Sequence, residues 1–133
     1  MDLRERAVDM LEALWSRGDD GPVRACVSPD FTYALSSESE GLDLDGYVEL
    51  IGGFRSAFDP IDLILYRTLV EGARVMVHYS LTGEHVAPIF GIEATDRPLW
   101  VPAMTFMYFD GEQLERQVSL TDFLHVQRQL RAG

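Results

Sequence analysis

The chain has 133 residues, of which 47% are hydrophobic, and its 22 acidic and 11 basic side chains give a net charge of −11. This composition excludes a disordered chain and predicts one folded domain over residues 1–133. The acidic balance argues against nucleic acid or an anionic membrane as a partner, because both bind basic patches. Cys26 stands alone, no apolar run is long enough to span a membrane, and the N-terminus lacks a signal-peptide core, so we expect a cytoplasmic protein.

The N-terminal part of the chain predicts two helices and a strand. Apolar residues recur every three or four positions over residues 3–15, which is typical of an amphipathic helix, and Gly18 ends it. A short second helix is expected over about 22–27. Alternating side chains predict a strand over 31–35, and a polar, acidic loop follows at 36–41.

A third helix is predicted after Asp43 or Asp45, with an apolar face formed by Tyr47, Leu50, Ile51, Phe54 and Phe58. Gly52 and Gly53 lie inside this helix, where each glycine costs about 1 kcal/mol relative to alanine. Two interpretations explain them. Either the helix packs closely on a neighbour there, or the bare backbone makes room for a ligand.

The second half of the chain predicts a meander of strands and a closing helix. The strands are expected over about 61–71, 74–85, 100–109 and 112–121. Glu71-Gly72 and Asp110-Gly111 are predicted tight turns, and 86–98 is a predicted loop. The closing helix is expected over about 122–130. Helices gathered before an antiparallel sheet indicate the α+β class.

Asp122 ends the last predicted strand. It has the same parity as Val118 and Leu120, so the three side chains share one face of the sheet. We expect this face to border an enclosed, mainly apolar cavity, in which burial would raise the pKa of the carboxyl group and suit it to proton transfer. The alternative is that Asp122 only caps the last helix, a position that aspartate favours.

Short segments along nearly the whole chain occur in an order that is specific for one fold. They are WSRGD at 15–19, VSPDF at 27–31, AFDP at 57–60, RVMV at 74–77, GEH at 83–85, FGIEAT at 90–95, DG at 110–111, DFL at 122–124 and QL at 129–130. On these segments the chain resembles the SnoaL-like polyketide cyclases of the NTF2-like superfamily. The resemblance implies a cone in which a curved, mainly antiparallel sheet wraps over three helices of the N-terminal half, with a short C-terminal helix.

The resemblance also implies a function. It predicts a cofactor-free and metal-free cyclase or isomerase that acts on a polyketide-like, hydrophobic carbonyl compound by general acid/base catalysis, with Asp122 as the catalytic group in an aldol-type ring closure. The expected substrate-binding residues are Trp15, Tyr33, Tyr47, Ile51, Phe54, Phe58, Tyr79, His85, Met104, Phe106, Val118 and Leu120.

Two other functions remain open. An epoxide hydrolase or epoxide-opening cyclase on the same fold uses two acidic residues, and Met104 stands where the family often has a polar or acidic one. Val118 stands where the family often has a tryptophan, so both positions make the predicted pocket more apolar. The other alternative is a non-catalytic module for small-molecule binding or dimerisation, in which Asp122 is only a helix cap.

We also expect a homodimer, because a sheet with apolar side chains on both faces needs cover on both. The residues assigned to the outer face are Met76, His78, Ser80, Ala103, Thr105 and Met107. His78 and His85 are seven positions apart on one strand, so they point to opposite faces and cannot form a metal pair.

Overall fold

The computed structural model of the protein describes residues 1–35 and 41–132. Its elements in chain order are α1 (Leu3–Arg17), α2 (Gly21–Cys26), β1 (Val27–Ala34), α3 (Leu44–Ala57), β2 (Phe58–Glu71), β3 (Arg74–His85), β4 (Pro98–Asp110), β5 (Gln113–Thr121) and α4 (Phe123–Arg131). This order confirms the α+β class. Residues 36–40 of the predicted polar loop lie outside the described residues.

Helix ends follow local capping chemistry. Asp43 Oδ1 accepts the Gly46 N–H at 2.8 Å and caps the N-terminus of α3. Of the two predicted helix starts, Asp43 and Asp45, the structure has the first. Gly18 ends α1 with a left-handed φ of 66°, which glycine adopts without strain. Phe58 was predicted on the third helix, but the helix ends at Ala57 and Phe58 opens β2. Because the residue before a proline avoids helical geometry, Asp59-Pro60 favours this early change to extended backbone.

The five strands form one curved sheet in the order β1-β5-β4-β3-β2. β2 to β5 form an antiparallel meander, and β1 joins β5 in parallel. The helices α1 and α3 cover the inner face of the sheet. α4 follows β5 and contacts β4 through Gln129. The Gln129 Oε1 atom accepts the Trp100 N–H at 3.2 Å, and Nε2 donates to Trp100 O at 2.7 Å.

Strand register decides which side chains enter the cone. Directly opposed residues of antiparallel strands share a face. The inner rows across β3, β4 and β5 are Val75–Met107–Gln117, Val77–Thr105–Ser119 and Tyr79–Ala103–Thr121. Apart from the half-buried Thr121 at the sheet edge, all of these side chains are buried.

The outer rows carry residues that were predicted to line the pocket. These rows are Met76–Phe106–Val118 and His78–Met104–Leu120. The inward prediction for Phe106, Val118, Met104 and Leu120 is therefore wrong, as is the outward one for Ala103, Thr105 and Met107. Both parities of β4 are apolar, so alternation alone does not define the inner face.

No helix among the described residues is long and apolar enough to cross a membrane.

Candidate functional site

An open apolar groove of about 710 Å³ lies between α3, the segment 86–97 and the start of α4. Its lining residues are Leu35, Leu42, Gly46, Glu49, Leu50, Gly53, Phe54, Ile89, Phe90 and Phe123. The volume lies within the range of about 300–1,000 Å³ that is typical of small-molecule sites. The groove opens to the surface, so the expectation that this cavity is enclosed is wrong.

Aromatic rings separate the groove from the interior of the cone. Phe54 lies at the centre, with ring centroids 5.4 Å from Phe123, 5.9 Å from Phe90 and 5.6 Å from Phe58. On its inner side the Phe54 ring meets Trp15 edge-on at 5.9 Å. A ligand in the groove would therefore contact Phe54, whose ring lies between it and Trp15.

The two central glycines of α3 do not serve close packing. A Cβ atom at Gly52 or Gly53 would meet no atom within 4 Å among the described residues. The interpretation that the helix packs closely there is therefore wrong. Gly53 lines the groove, whereas Gly52 does not. The second interpretation, that bare backbone makes room for a ligand, fits the position of Gly53.

A polar cluster lies inside the cone, on the inner face of the sheet and on α3. We call the side chains of Tyr33, Tyr47, Tyr79, Thr105, Gln117 and Ser119 the inner hydroxyl cluster. Thr105 Oγ1 is 2.8 Å from Ser119 Oγ. Gln117 Nε2 donates to Thr105 Oγ1 at 3.0 Å and to Tyr47 OH at 3.3 Å. All six side chains are buried in otherwise apolar surroundings.

The tyrosines of this cluster are held in the neutral form. Burial raises the pKa of Tyr33 to about 12, and hydrogen bonding to Ser119 offsets part of the rise. Burial likewise raises the pKa of Tyr79, and it raises that of Tyr47 together with the neighbouring Tyr33 and Tyr79. The Tyr33 and Tyr47 rings stack with centroids 4.0 Å apart. Near neutral pH these hydroxyls are therefore hydrogen-bond donors and not bases.

Gln117 keeps one end of its amide free. Its Oε1 atom is buried and has no hydrogen-bond partner in the described part of the chain. Nitrogen and oxygen of an amide can be exchanged without moving its neighbours, and the hydroxyls of Tyr47 and Thr105 could donate to the oxygen instead. In either orientation one polar end is unsatisfied, which typically costs about 1–3 kcal/mol. A ligand with a complementary group would remove that cost.

His85 is fully buried on β3 and does not line the groove. Its Nδ1 atom accepts the Thr95 N–H at 3.2 Å, so in the neutral ring Nε2 carries the proton. Nε2 has no partner within residues 1–35 and 41–132. The ring centroid lies 5.6 Å from that of Phe58. The structure thus places His85 inside the core, and its predicted role in substrate binding stays a prediction.

Asp122 is an exposed helix cap directly after the end of β5. Its Oδ1 accepts the N–H of His125 at 2.9 Å, and this side-chain bond caps the N-terminus of α4. The carboxylate borders a separate depression of about 330 Å³ on the outer face, beside His78, Met104 and Leu120. The expectation that this side chain points into an inner cavity is wrong, because the outer parity of β5 continues into it. Its catalytic role stays a prediction.

The remaining predicted site residues occupy two places. Phe54 forms the floor of the groove, and the others lie within the buried core of the cone: Trp15, Tyr33, Tyr47, Ile51, Phe58 and Tyr79. Sequence reasoning missed Thr105, Gln117 and Ser119. The signal for them is that Gln117, Ser119 and Thr121 form a polar period-two series opposite an apolar one. A polar series usually faces water, and here it faces the core.

The described residues contain no group of three or more His, Cys, Asp or Glu side chains arranged to hold a metal ion.

Comparison with known proteins identifies relatives over the whole fold. The family model for the SnoaL-like polyketide cyclases matches residues 5–130. A comparison with curated proteins finds no match.

Among solved structures, TsrD from Streptomyces laurentii is 22% identical at a TM-score of 0.83, with 100% of this chain and 99% of that one covered. A candidate polyketide cyclase from Acidithiobacillus ferrooxidans is 25% identical at a TM-score of 0.82, with 98% of each chain covered. AclR, a candidate hydroxylase from Streptomyces galilaeus, is 21% identical at a TM-score of 0.83, with 97% of each covered. With its NTF2-like cone and a family match over nearly its full length, this chain belongs to the SnoaL-like polyketide cyclase family.

Proposed function

We propose that this protein is a cofactor-free cyclase or isomerase that closes a ring in a polyketide-like, hydrophobic carbonyl compound. The observation that carries the proposal is the inner hydroxyl cluster: neutral donors and one open amide end meet inside an apolar cone. Preorganised donors of this kind stabilise negative charge that develops on a carbonyl oxygen. The apolar groove, which shares no lining residue with this cluster and is separated from the core by the Phe54 ring, suits the hydrocarbon body of such a compound.

The proposed reaction is an intramolecular aldol addition. A base takes a proton from the carbon next to one carbonyl group, and the resulting enolate oxygen accepts hydrogen bonds from the inner hydroxyl cluster. The enolate carbon then attacks a second carbonyl carbon of the same molecule. A carbon–carbon bond forms, the electron pair of the second carbonyl moves to its oxygen, and that oxygen takes up a proton. The product is an isomer of the substrate, and no redox partner is consumed.

Family resemblance assigns the base to Asp122, and this assignment is part of the proposal. The residue after it, Phe123, lines the groove, so the backbone of Asp122 lies at the groove's edge. To reach a ligand there, the carboxylate must release the His125 N–H that it now binds. A ligand whose hydrogen bonds replace that cap would favour the exchange.

A ligand-binding module without catalysis is the second candidate. It is favoured by the bond with which Asp122 caps α4. It is also favoured by the residues of the groove and of the inner hydroxyl cluster, because Glu49 is the one carboxylate among those that the structure describes. In this function the inner hydroxyl cluster would bind a carbonyl oxygen without activating the neighbouring carbon. The two candidates differ in whether a bound ketone exchanges its α-hydrogens faster than it does in buffer.

The test uses β-tetralone, a bicyclic ketone with exchangeable α-hydrogens, in deuterated buffer with detection by NMR. We expect the parent to accelerate exchange, and Tyr33→Phe and Gln117→Leu to lower the enzymatic rate by about tenfold, since each removes a polar group facing the enolate oxygen. Tyr108→Phe, on the outer face, is the matched control and should keep the parental rate. Binding without acceleration would support the module instead.

A further inference from the structure

The side of α3 that forms the groove wall is nearly bare. Gly46, Glu49 and Gly53 all line the groove, at spacings of three and four residues, so they share one face of the helix. Of these three, only Glu49 carries a side chain. Its neighbours in the wall are Leu50 and Phe54, which flank the face on one side. The wall is therefore a shallow strip with one carboxylate between two glycines.

Gly53 destabilises the helix, and no close packing against another element offsets this cost. In a helix interior, glycine costs about 1 kcal/mol relative to alanine, and its φ here lies outside the left-handed region that would require glycine. The space next to it is open, since a methyl group there would contact no atom within 4 Å among the described residues. That space is part of the groove. Glycine at this position therefore leaves space in the groove that any larger side chain would occupy.

Glu49 is the one ionisable residue among the described residues that line the groove. It is exposed, and no ion pair in the described part of the chain includes it. A ligand anion placed in this apolar setting would lose hydration and meet a like charge. A neutral hydroxyl group would instead donate a charge-assisted hydrogen bond to the carboxylate.

We propose that this face of α3 selects the ligand: Gly53 leaves room for a fused ring, and the Glu49 carboxylate accepts a hydrogen bond from a neutral phenolic or enolic hydroxyl group on it. The groove thus takes uncharged, hydroxylated ring compounds and rejects their carboxylates. This selection deepens the proposed function, on which it rests, by naming the class of compound that enters the cone.

The probe for Gly53 is β-naphthol, with binding measured by calorimetry and stability by urea denaturation. Gly53→Ala and Gly52→Ala make the same change at neighbouring positions, and both should raise the midpoint of unfolding because alanine favours the helix. Only Gly53→Ala places a methyl group in the groove, and we expect it to weaken naphthol binding by about tenfold because that group takes space proposed for the ring. Equal affinities in the two variants would overturn the role of Gly53.

The probe for Glu49 is the pair β-naphthol and β-naphthoate, which share a ring system and differ in charge. The parent should bind the naphthol at least about tenfold more tightly, since a like-charge contact in an apolar site is costly. Glu49→Gln should remove most of this preference, whereas Glu5→Gln, an exposed glutamate on α1, should retain it. An unchanged preference in Glu49→Gln would overturn the selection. Absence of naphthol binding in a parent that accelerates exchange in β-tetralone would overturn this inference and leave the proposed function standing. Absence of both would overturn the two together.

Discussion

Thr105 and Ser119 lie opposite each other on β4 and β5, and their hydroxyl oxygens are 2.8 Å apart in the buried centre of the cone. Gln117, two residues earlier on β5, donates to the same threonine hydroxyl. Polar side chains at such depth are usually fully paired. Here the pairing stops at one end of the Gln117 amide. One polar atom of the cluster is therefore left without a partner in the described part of the chain.

Gln117 should matter more for binding than for stability. Gln117→Leu removes an unsatisfied buried polar atom but leaves Tyr47 OH and Thr105 with one partner fewer, so we expect a free energy of unfolding within about 1 kcal/mol of the parent. Binding of β-tetralone should weaken by at least about tenfold, because the ketone oxygen loses the hydrogen bond that Nε2 donates when the amide takes its exchanged orientation. Urea denaturation and calorimetry measure the two quantities.

Gln129 provides the matched control. Its side chain bonds twice to the backbone of Trp100, and it lies away from the groove. Gln129→Leu should therefore lower the free energy of unfolding by about 1 kcal/mol and leave binding unchanged. If Gln117→Leu behaves like Gln129→Leu in both measurements, the open amide end has no part in ligand recognition.

Asp122 can be tested by separating its cap from its charge. Asparagine caps a helix nearly as well as aspartate, so Asp122→Asn should unfold like the parent, whereas Asp122→Ala should lose about 1 kcal/mol. If the carboxylate is the base, Asp122→Asn should lose most of the α-hydrogen exchange of β-tetralone while still binding it. A general base typically contributes about 10²–10⁴-fold to the rate. If Asp122→Asn keeps more than about a third of the parental exchange rate, Asp122 serves only as a helix cap.

The sequence predicted the elements well because their signals are local. Capping side chains and glycines with positive φ mark the ends of the elements where the sequence predicted them. They are the Asp43 cap, Gly18 at the end of α1, and the turns Glu71-Gly72 and Asp110-Gly111. Phe58 was an exception, because a change from helix to strand without a loop leaves no turn signal.

The two faces of the sheet could not be predicted in the same way. Along β4 the inner series contains Val101 and Met107 and the outer one Met104 and Phe106, so both are apolar. On β5 the more polar series is the inner one, opposite to the usual pattern. The error follows from the composition of the two faces, since a polar cluster inside and an apolar surface outside invert the rule on which alternation depends.

Alkaline pH should destabilise the fold through its buried tyrosines. Burial raises the pKa of Tyr33 to about 12, whereas in the unfolded chain it is near 10. Below about pH 10 both states hold the proton and this contribution to stability is complete. As the pH rises from about 10 to about 12 the unfolded state binds fewer protons than the folded one, so the free energy of unfolding falls by about 1.4 kcal/mol per pH unit for this tyrosine.

The chain contains no lysine, which leaves tyrosines as the main groups that titrate in this range. Urea denaturation at a series of pH values should show a less steep fall for Tyr33→Phe than for the parent. Tyr108→Phe, which changes a partly exposed tyrosine on the outer face, should keep the parental slope. Identical slopes in all three proteins would contradict the burial-driven shift at Tyr33.

A homodimer through the outer sheet face is our last prediction. This face exposes Trp100, Met104 and Leu120, whose exposed fractions are 46%, 37% and 45%. Tyr66 joins them from β2, where its hydroxyl accepts the Trp100 Nε1–H at 3.2 Å. Monomeric proteins rarely leave so continuous an apolar patch in water, and a second copy would bring an equally apolar patch against it.

Light scattering should therefore give about twice the chain mass of 15.0 kDa at micromolar concentration. Met104→Asp places a charge in the centre of the patch, next to Leu120, and should yield monomers because an unpaired charge is costly to bury. Ala25→Asp adds the same charge on an exposed position of α2 and should remain dimeric. A monomeric parent would contradict the prediction, and a dimeric Met104→Asp would place the interface on another surface. Because the patch lies across the sheet from the inner hydroxyl cluster, we expect the monomeric variant to retain ligand binding.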